Sequence, residues 1–391
     1  MAIFLPIVSK FQDEGINKAV FSISKLGATA ANAAAGGLAA LGVATVASIK
    51  AFADFDAEMT KSLAIMGHVS DSLQDDMSDA AREVAKTTTF SANQAAEAYF
   101  FLASAGLDAA ASIEAMPKVA KFAQAGMFDM ALATDLLTDA QSALGLTIRD
   151  DAIKNMENLV RVSDVLVKAN TLANASVEQF STALTTKAGA ALRALGKDVE
   201  EGVAVLAAFA DQGIKGEIAG TQLSIVLRDL TTKAIKNKSA FKEMGIAVFD
   251  ANGEMNNLGD IIGNLETALA GMSDETQKAT LLQLGFSDKS LASLQALLGT
   301  SEAIKTYEGA LREAAGTTDE IASKQLETLN AQLGLIKSAF VDLGIEIGER
   351  LEPTVTGLAE EVQLLLAEMV ASPEFEQFII ELTVAMEELL P

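Results

Sequence analysis

Of the residues that carry most enzyme chemistry, this chain holds one histidine, His68, and no cysteine. Without cysteine there is no thiolate nucleophile, thiolate metal site or disulfide. A Ser-His-Asp triad needs a histidine held by a carboxylate and facing a nucleophile, and a metal site needs several converging ligands. His68 sits instead in Gly67-His68-Val69-Ser70, which reads as a helix-ending turn. The string Gly213-Ile214-Lys215-Gly216-Glu217-Ile218-Ala219-Gly220 has the glycine content of a phosphate loop. That chemistry needs the lysine after the last glycine, with serine or threonine next, at a helix start. Here Lys215 precedes Gly216, and Glu217 would repel phosphate. The string reads better as a tight turn in which Gly213, Gly216 and Gly220 let two helices approach. Asp250-Ala251-Asn252-Gly253-Glu254 has the alternating oxygens of a calcium loop. Counted from Asp250, however, the required glycine at position six and the acid at position twelve are Met255 and Ile261. Asp250 and Gly253 are therefore expected to make a turn. Acid pairs are abundant, but none sits among the aromatic platforms of a sugar site. No catalytic, cofactor-binding or metal-ligating residue is assigned, and no enzyme activity is expected.

The elements that would position these turns are helical in pattern. Phe52, Phe55, Met59, Leu63 and Met66 recur at spacings of three and four, which predicts a helix over 51–66. A polar amphipathic helix is expected over 71–86. Ser91 is a good N-cap for a helix from Ala92 to Ala105, and Gly106 a good stop. Gly126, Gly145, Gly196 and Gly213 punctuate the helices that follow. A short apolar run, Ile246-Ala247-Val248-Phe249, leads into the Asp250 turn like one arm of a hairpin, and helix returns over 258–272. Short strands are expected only near residues 3–8 and 246–258. Pro353 and Pro373 are expected as helix breaks or first-turn positions. The fold class is mainly α: a multi-helix core with at most a short β-hairpin, followed by an extended acidic helix.

Half of the 391 residues are apolar, enough for a sizeable core, and much of that content is alanine, which favours close helix packing. The net charge is −24, from 53 acidic and 29 basic residues. Nucleic-acid binding relies on lysine and arginine to displace counterions, so specific binding to DNA or RNA is disfavoured. The charge is uneven: from Glu346 to Pro391 eleven acids face one arginine, Arg350, a net of −10 in 46 residues. Between Lys25 and Lys50 a run of 24 residues, 26–49, carries no charge. As a helix it would be roughly 36 Å long, enough to cross a bilayer. Its alanines and glycines insert weakly, so packing against protein is favoured over membrane contact.

The most regular apolar pattern comes late. Leu326, Leu329, Leu333, Ile336, Phe340, Leu343 and Ile347 alternate at spacings of three and four, a heptad seam over about three heptads. With Leu326 at position a, the d positions are Leu329, Ile336 and Leu343. Periodicity alone allows either an oligomer seam or a stripe buried in the chain's own core. Leucine at a with isoleucine at d, and Phe340 at a, suit more than two strands, so a trimer-like parallel bundle is one expectation.

Several strings taken together resemble the core of phage tail tape-measure proteins. They are Phe52-Ala53-Asp54-Phe55-Asp56-Ala57-Glu58-Met59, then Thr89-Phe90-Ser91-Ala92-Asn93-Gln94-Ala95-Ala96-Glu97-Ala98, then Leu102-Ala103-Ser104-Ala105-Gly106-Leu107 and Met116-Pro117. The Gly213–Leu223 string and the Asp250 turn follow in order. The resemblance covers roughly Phe52 to Pro353. It implies a structural scaffold of phage or prophage tail assembly, held in the tail-tube lumen and built in the bacterial cytoplasm, which helps set tail length and aids DNA delivery. The partners it implies are the tail-tube protein, tail assembly chaperones, tail-tip or baseplate proteins and further copies of the chain. It carries over no catalytic residue and no cofactor. The expected domains are an N-terminal arm and small-residue helix (1–50), a helical core (51–316) and the heptad-like, acidic start of a tape (317–391). A second reading makes the chain membrane-active through segment 26–49, with host membrane contact.

Overall fold

The computed structural model describes residues 38–148 and 150–370. Among them run α1 (Leu38–Met66), α2 (Asp71–Thr87), α3 (Ala92–Ser104), α4 (Ala109–Gly126), α5 (Met130–Ala143) and α6 (Ala152–Leu172). Next come α7 (Val177–Ala183), α8 (Gly189–Ala194), α9 (Val199–Asp211), α10 (Gly216–Lys236), α11 (Lys238–Glu243) and α12 (Leu258–Leu269). The last are α13 (Asp274–Gln283), α14 (Asp288–Leu297), α15 (Ser301–Arg312), α16 (Thr317–Leu326) and α17 (Leu329–Val370). A π-helical turn, Leu184–Ala188, joins α7 to α8. Among the described residues the fold is helical, in line with the mainly α pattern. The hairpin expected over 246–258 shrinks to one antiparallel bridge, Phe249 with Met255. The strand expected near 3–8 lies outside the described residues.

Local chemistry explains the borders. Ser91 and Gln94 form a capping box that starts α3, and Gly106 follows its end with φ 89°. Asp108, Asp129, Asp151, Asp198 and Ser273 likewise accept backbone N–H groups at the starts of their helices. Such a cap contributes about 1 kcal/mol. Gly126 differs from expectation: it is the last residue of α4, and Met127 beyond it takes the left-handed conformation, φ 56°. Gly126 is required by packing, because a Cβ there would lie 2.6 Å from the Phe128 ring and 3.1 Å from Val177. Pro353 is also a departure. It breaks nothing and lies inside α17. Proline removes one hydrogen bond and crowds the preceding turn, costing about 3 kcal/mol, and in a helix of 42 residues the bonded turns on both sides hold the path. Pro117 sits inside α4 in the same way.

The chain divides into two compact units: Ala57–Ala339, and a second containing the residues up to Asp56 with those from Phe340 onward. In the larger unit α6 is the hub, packing on α4, α5, α7, α9, α15 and α16. Helix α9 is buried on all sides from Val199 to Ala210, and lies against α6, α10 and α15. The largest fully buried side chains include Tyr99, Phe122, Phe180 and Phe209, each contributing about 1.5–3 kcal/mol by leaving water. The Tyr99 hydroxyl donates to the Met77 carbonyl at 3.0 Å, so its polar end is satisfied inside the core. In the smaller unit α1 and α17 cross at small residues. A Cβ on Gly344 would touch Ala51 and Ser48, and one on Gly348 would overlap Ser48 and Phe52.

Candidate assembly surface

The histidine, the glycine string and the Asp250 turn lie at helix ends, in loops and at one helix crossing. His68 is exposed in the loop between α1 and α2. Among the described residues no cluster of His, Asp and Glu could hold a metal ion. The Asp250 carboxylate is taken up by its own turn: Oδ1 accepts from the backbone N–H groups of Asn252 at 2.9 Å and Glu254 at 2.8 Å. Gly253 takes φ 85° there. The far side of this turn is pinned from the core. The ammonium of buried Lys197 donates to the carbonyls of Met255 at 2.7 Å and Asn256 at 2.8 Å. Buried Glu201, 3.1 Å from that ammonium, accepts from the N–H of Leu258 at 2.6 Å. Burial pushes the Glu201 carboxyl above the usual carboxylate range, against the pull of the Leu258 N–H and Lys197. Desolvation favours the neutral acid even beside a cation.

The glycine string divides into two kinds of work. Gly213 closes α9 with φ 80°: its N–H donates to Ala210, and that of Ile214 to Phe209, the bonding of a left-handed helix stop. Gly216 starts α10 with φ 56°. Gly220 lies inside α10, where a Cβ would overlap the Ala183 carbonyl and stand 2.9 Å from its Cα. Ala183 is the last residue before the π turn, so the α10–α7 crossing is a backbone-to-backbone contact that only glycine permits.

The late apolar seam is where the structure is most informative. Leu326 is half-buried and ends α16, so the seam does not run through one helix from Leu326. The break has a physical cause. The Thr328 hydroxyl accepts the N–H of Ala331 at 3.2 Å, and the Gln332 amide reaches back to the Leu326 carbonyl at 2.6 Å. Those contacts start a new helix, α17. Leu329, Leu333, Ile336, Phe340, Leu343 and Ile347 all lie on it, and every one is between 40% and 74% exposed. Ala331, Ser338, Asp342 and Ile345 of the same helix are buried. They fall about 200° from the seam positions, given 100° per residue. The large apolar residues face out, and small or polar ones mostly face in.

Helix α16, which leads into this seam, is clasped to the core by polar groups that sequence reading passed over. Buried Asp164, on α6, accepts from the N–H groups of Gly316 at 2.8 Å and Thr318 at 2.9 Å, capping α16 from another helix. Ser163 and Thr318 share a hydroxyl hydrogen bond of 2.8 Å. On α4 the Gln124 amide donates to the Ala322 carbonyl at 2.7 Å, and Lys121 pairs with Asp319 at 2.9 Å. The signal in the sequence is that Asp164 falls between Val162 and Val165–Leu166, in the apolar stretch of a helix, where a buried acid must be satisfied by a partner.

Among the described residues no helix is long and apolar enough to cross a membrane. Residues 26–37 of the charge-free segment lie outside the described residues, and 38–49 begin α1. The model of a family described as "Phage-related minor tail protein" matches residues 78–285. The chain is 29% identical over 321 residues to the tape measure protein of Pneumococcus phage Dp-1, covering 82% of this chain and 27% of that one. It is 25% identical over 341 residues to a probable tape measure protein of Escherichia phage P2, covering 85% and 41%. It is 23% identical over 335 residues to another of Clostridium phage phiCD119, covering 84% and 34%. The chain thus spans 27% to 41% of the length of these curated relatives. No solved structure matches.

Proposed function

We infer the role of this chain from one premise: it belongs to the phage-related minor tail protein family. Its role is structural, in tail assembly. Within that role we propose that it is the folded core of a tape-measure scaffold, held in the tail-tube lumen, with the tube protein, assembly chaperones and tail-tip or baseplate proteins as its partners. Assembly in the bacterial cytoplasm and help with DNA delivery belong to the same reading. The observation that supports it best is α17, a helix some 63 Å long at 1.5 Å per residue on which Leu329, Leu333, Ile336, Phe340, Leu343 and Ile347 are exposed.

We further propose that the seam from Leu326, continued on α17 by Leu329, Leu333, Ile336, Phe340, Leu343 and Ile347, joins copies of the chain in a parallel, trimer-like bundle. The acidic stretch after it repels identical neighbours, an effect screened over about 8 Å at physiological salt. Association is expected to strengthen from low to moderate salt. Leu333→Asp and Phe340→Asp test this. Both side chains are exposed, so folding should change by no more than about 0.5 kcal/mol while light scattering shows loss of the oligomer. A wild-type chain that stays monomeric at high concentration and moderate salt refutes the seam.

The ruler role has its own test. Inserting 28 helix-forming residues, four heptads, into the tape of the intact phage protein should lengthen tails by about 42 Å. Tails of unchanged length in electron micrographs would remove that role while leaving a structural one.

A further inference from the structure

Against a chain of net charge −24, one short stretch is basic. Lys233, Lys236, Lys238 and Lys242 fall within ten residues at the end of α10 and along α11. Lys236, Lys238 and Lys242 are exposed, and among the described residues none has a carboxylate within ion-pairing distance. Lys238 and Lys242 are four apart and so share a helix face. They line a groove of about 760 Å³ whose apolar wall includes Ile235, Phe241, Val248 and Phe249. Ile235 is 65% exposed, an isoleucine left in solvent beside unpaired ammonium groups. The acids nearest in sequence are Asp229, Glu243, Asp250 and Glu254; Asp229 interacts with Lys233, and Asp250 also lines the groove. Its carboxylate is already occupied by two backbone N–H groups of the turn. The groove therefore offers an apolar floor and free positive charge. That combination suits an acidic segment with an apolar stripe, laid in as a helix.

The chain contains such a segment. After Pro373 the sequence places Phe375, Phe378, Ile379, Leu382, Met386 and Leu389 at three- and four-residue spacings. Glu374, Glu381 and Glu388 recur every seven residues, with Glu376 and Glu387 between them and no basic residue in the segment. We propose that the groove between α10, α11 and the Asp250 turn receives segment 374–390 of a second copy of this chain. Glutamates of that segment meet Lys238 and Lys242, and its apolar residues cover Ile235 and Phe249. The inference rests on charge and shape and is independent of the tail assignment and of the α17 seam.

Zero-length carbodiimide coupling tests it, since that reagent joins a lysine to a carboxylate only where the two touch. The full chain should give links from Lys238 or Lys242 to Glu374, Glu376, Glu381, Glu387 or Glu388, identified by mass spectrometry of the digest. Raising the ionic strength from 0.1 to 1 M shortens the screening length from about 10 to about 3 Å, and link yield should fall about tenfold. Two co-expressed variants decide between copies. One carries Lys238→Glu and Lys242→Glu with its glutamates intact, and the other carries glutamine at the five glutamates with its lysines intact. Neither alone can form the link. Together they should form it, and only between chains. Combining Lys238→Glu and Lys242→Glu with Glu374→Lys and Glu381→Lys in one chain should restore coupling with the charges reversed. Links in the wild type that are missing from the co-expressed pair would mean that each chain covers its own groove, which overturns the proposal. So would absence of the link in the wild type, or a yield indifferent to salt. Protection of the same lysines by duplex DNA, without any link to the glutamates, would reassign the patch to a nucleic acid.

Discussion

Asp164→Ala should release α16 from the core while leaving the rest of the larger unit folded. The wild-type carboxylate is buried and accepts two backbone N–H groups, from Gly316 at 2.8 Å and Thr318 at 2.9 Å. A hydrogen bond to a charged group contributes about 1.5–3 kcal/mol, and a buried donor left without a partner costs about 1–3 kcal/mol. Both donors belong to one helix start, so the two losses overlap. A total near 3 kcal/mol is expected for local opening of α16, well above the usual ~1 kcal/mol for removing a cap. Asp164→Asn should cost about half as much, because its amide can still accept one of the two N–H groups. The readout is amide hydrogen exchange. An opening made 3 kcal/mol easier lowers protection in 317–326 by a factor of about 150. Helices α3 and α9 should keep their protection. A change below about 0.5 kcal/mol, or protection lost uniformly across the unit, would falsify the claim that this acid is the clasp of α16.

Four further outcomes are expected. Gly220→Ala forces a Cβ into the Ala183 backbone and should cost about 1–3 kcal/mol in urea unfolding. Gly213→Ala, with open space around its Cβ and only a positive φ to oppose it, should cost about 1 kcal/mol. Glu201 gives a pH dependence of definite sign. Its carboxyl is raised on folding, so its stabilising contribution is complete below the ordinary glutamate range and is lost as pH rises through the raised folded value. The difference in unfolding free energy between wild type and Glu201→Gln should therefore fall with rising pH across that window, and a difference that rises there would show that Lys197 outweighs burial. Finally, Lys197→Met should loosen the Asp250 turn, seen as faster exchange at Met255–Leu258, since two carbonyls lose their donor.

The sequence made the helix borders legible wherever a cap was spelled out by residue type. Ser91 with Gln94 and Gly106 after α3 are examples, and so is the return of helix at Leu258. It concealed borders set by competition between acceptable alternatives. Glu327 and Thr328 are tolerable helix residues and the apolar period runs straight across them, so nothing in the pattern reveals that Thr328 caps a new helix. The π turn at Leu184–Ala188 is hidden for a similar reason: LTTKA has no residue that forbids an α-helix, and the extra residue is absorbed against α10 and Gly189. Within the allowance of at most a short hairpin, Ile246–Phe249 makes one bridge, because Ile246 and Val248 are spent on the core. The polar clasp required knowing which helices meet. Asp164 and Gly316 are 152 residues apart, and no spacing rule links them.

Periodicity could identify the stripe on α17 and could not say which way it faces. A stripe of large apolar residues normally faces inward because burial there is most favourable. In α17 the opposite arrangement holds, and its energetics suggest why the assembly would need more than a sticky helix. Burying a Leu, Ile or Phe side chain fully contributes about 1.5–3 kcal/mol. The six seam residues of α17 are already 26% to 60% covered. Completing their burial would yield roughly 5–10 kcal/mol per copy. Association in free solution costs an estimated 4–15 kcal/mol in lost translation and rotation, before any repulsion between acidic stretches. The two are nearly matched. On these figures the proposed seam would hold free copies together only at high concentration and moderate salt. Copies held side by side meet at millimolar effective concentration, and the same seam becomes decisive. If the proposed bundle forms, its population should therefore rise steeply with concentration, which light scattering over a dilution series at moderate salt would read.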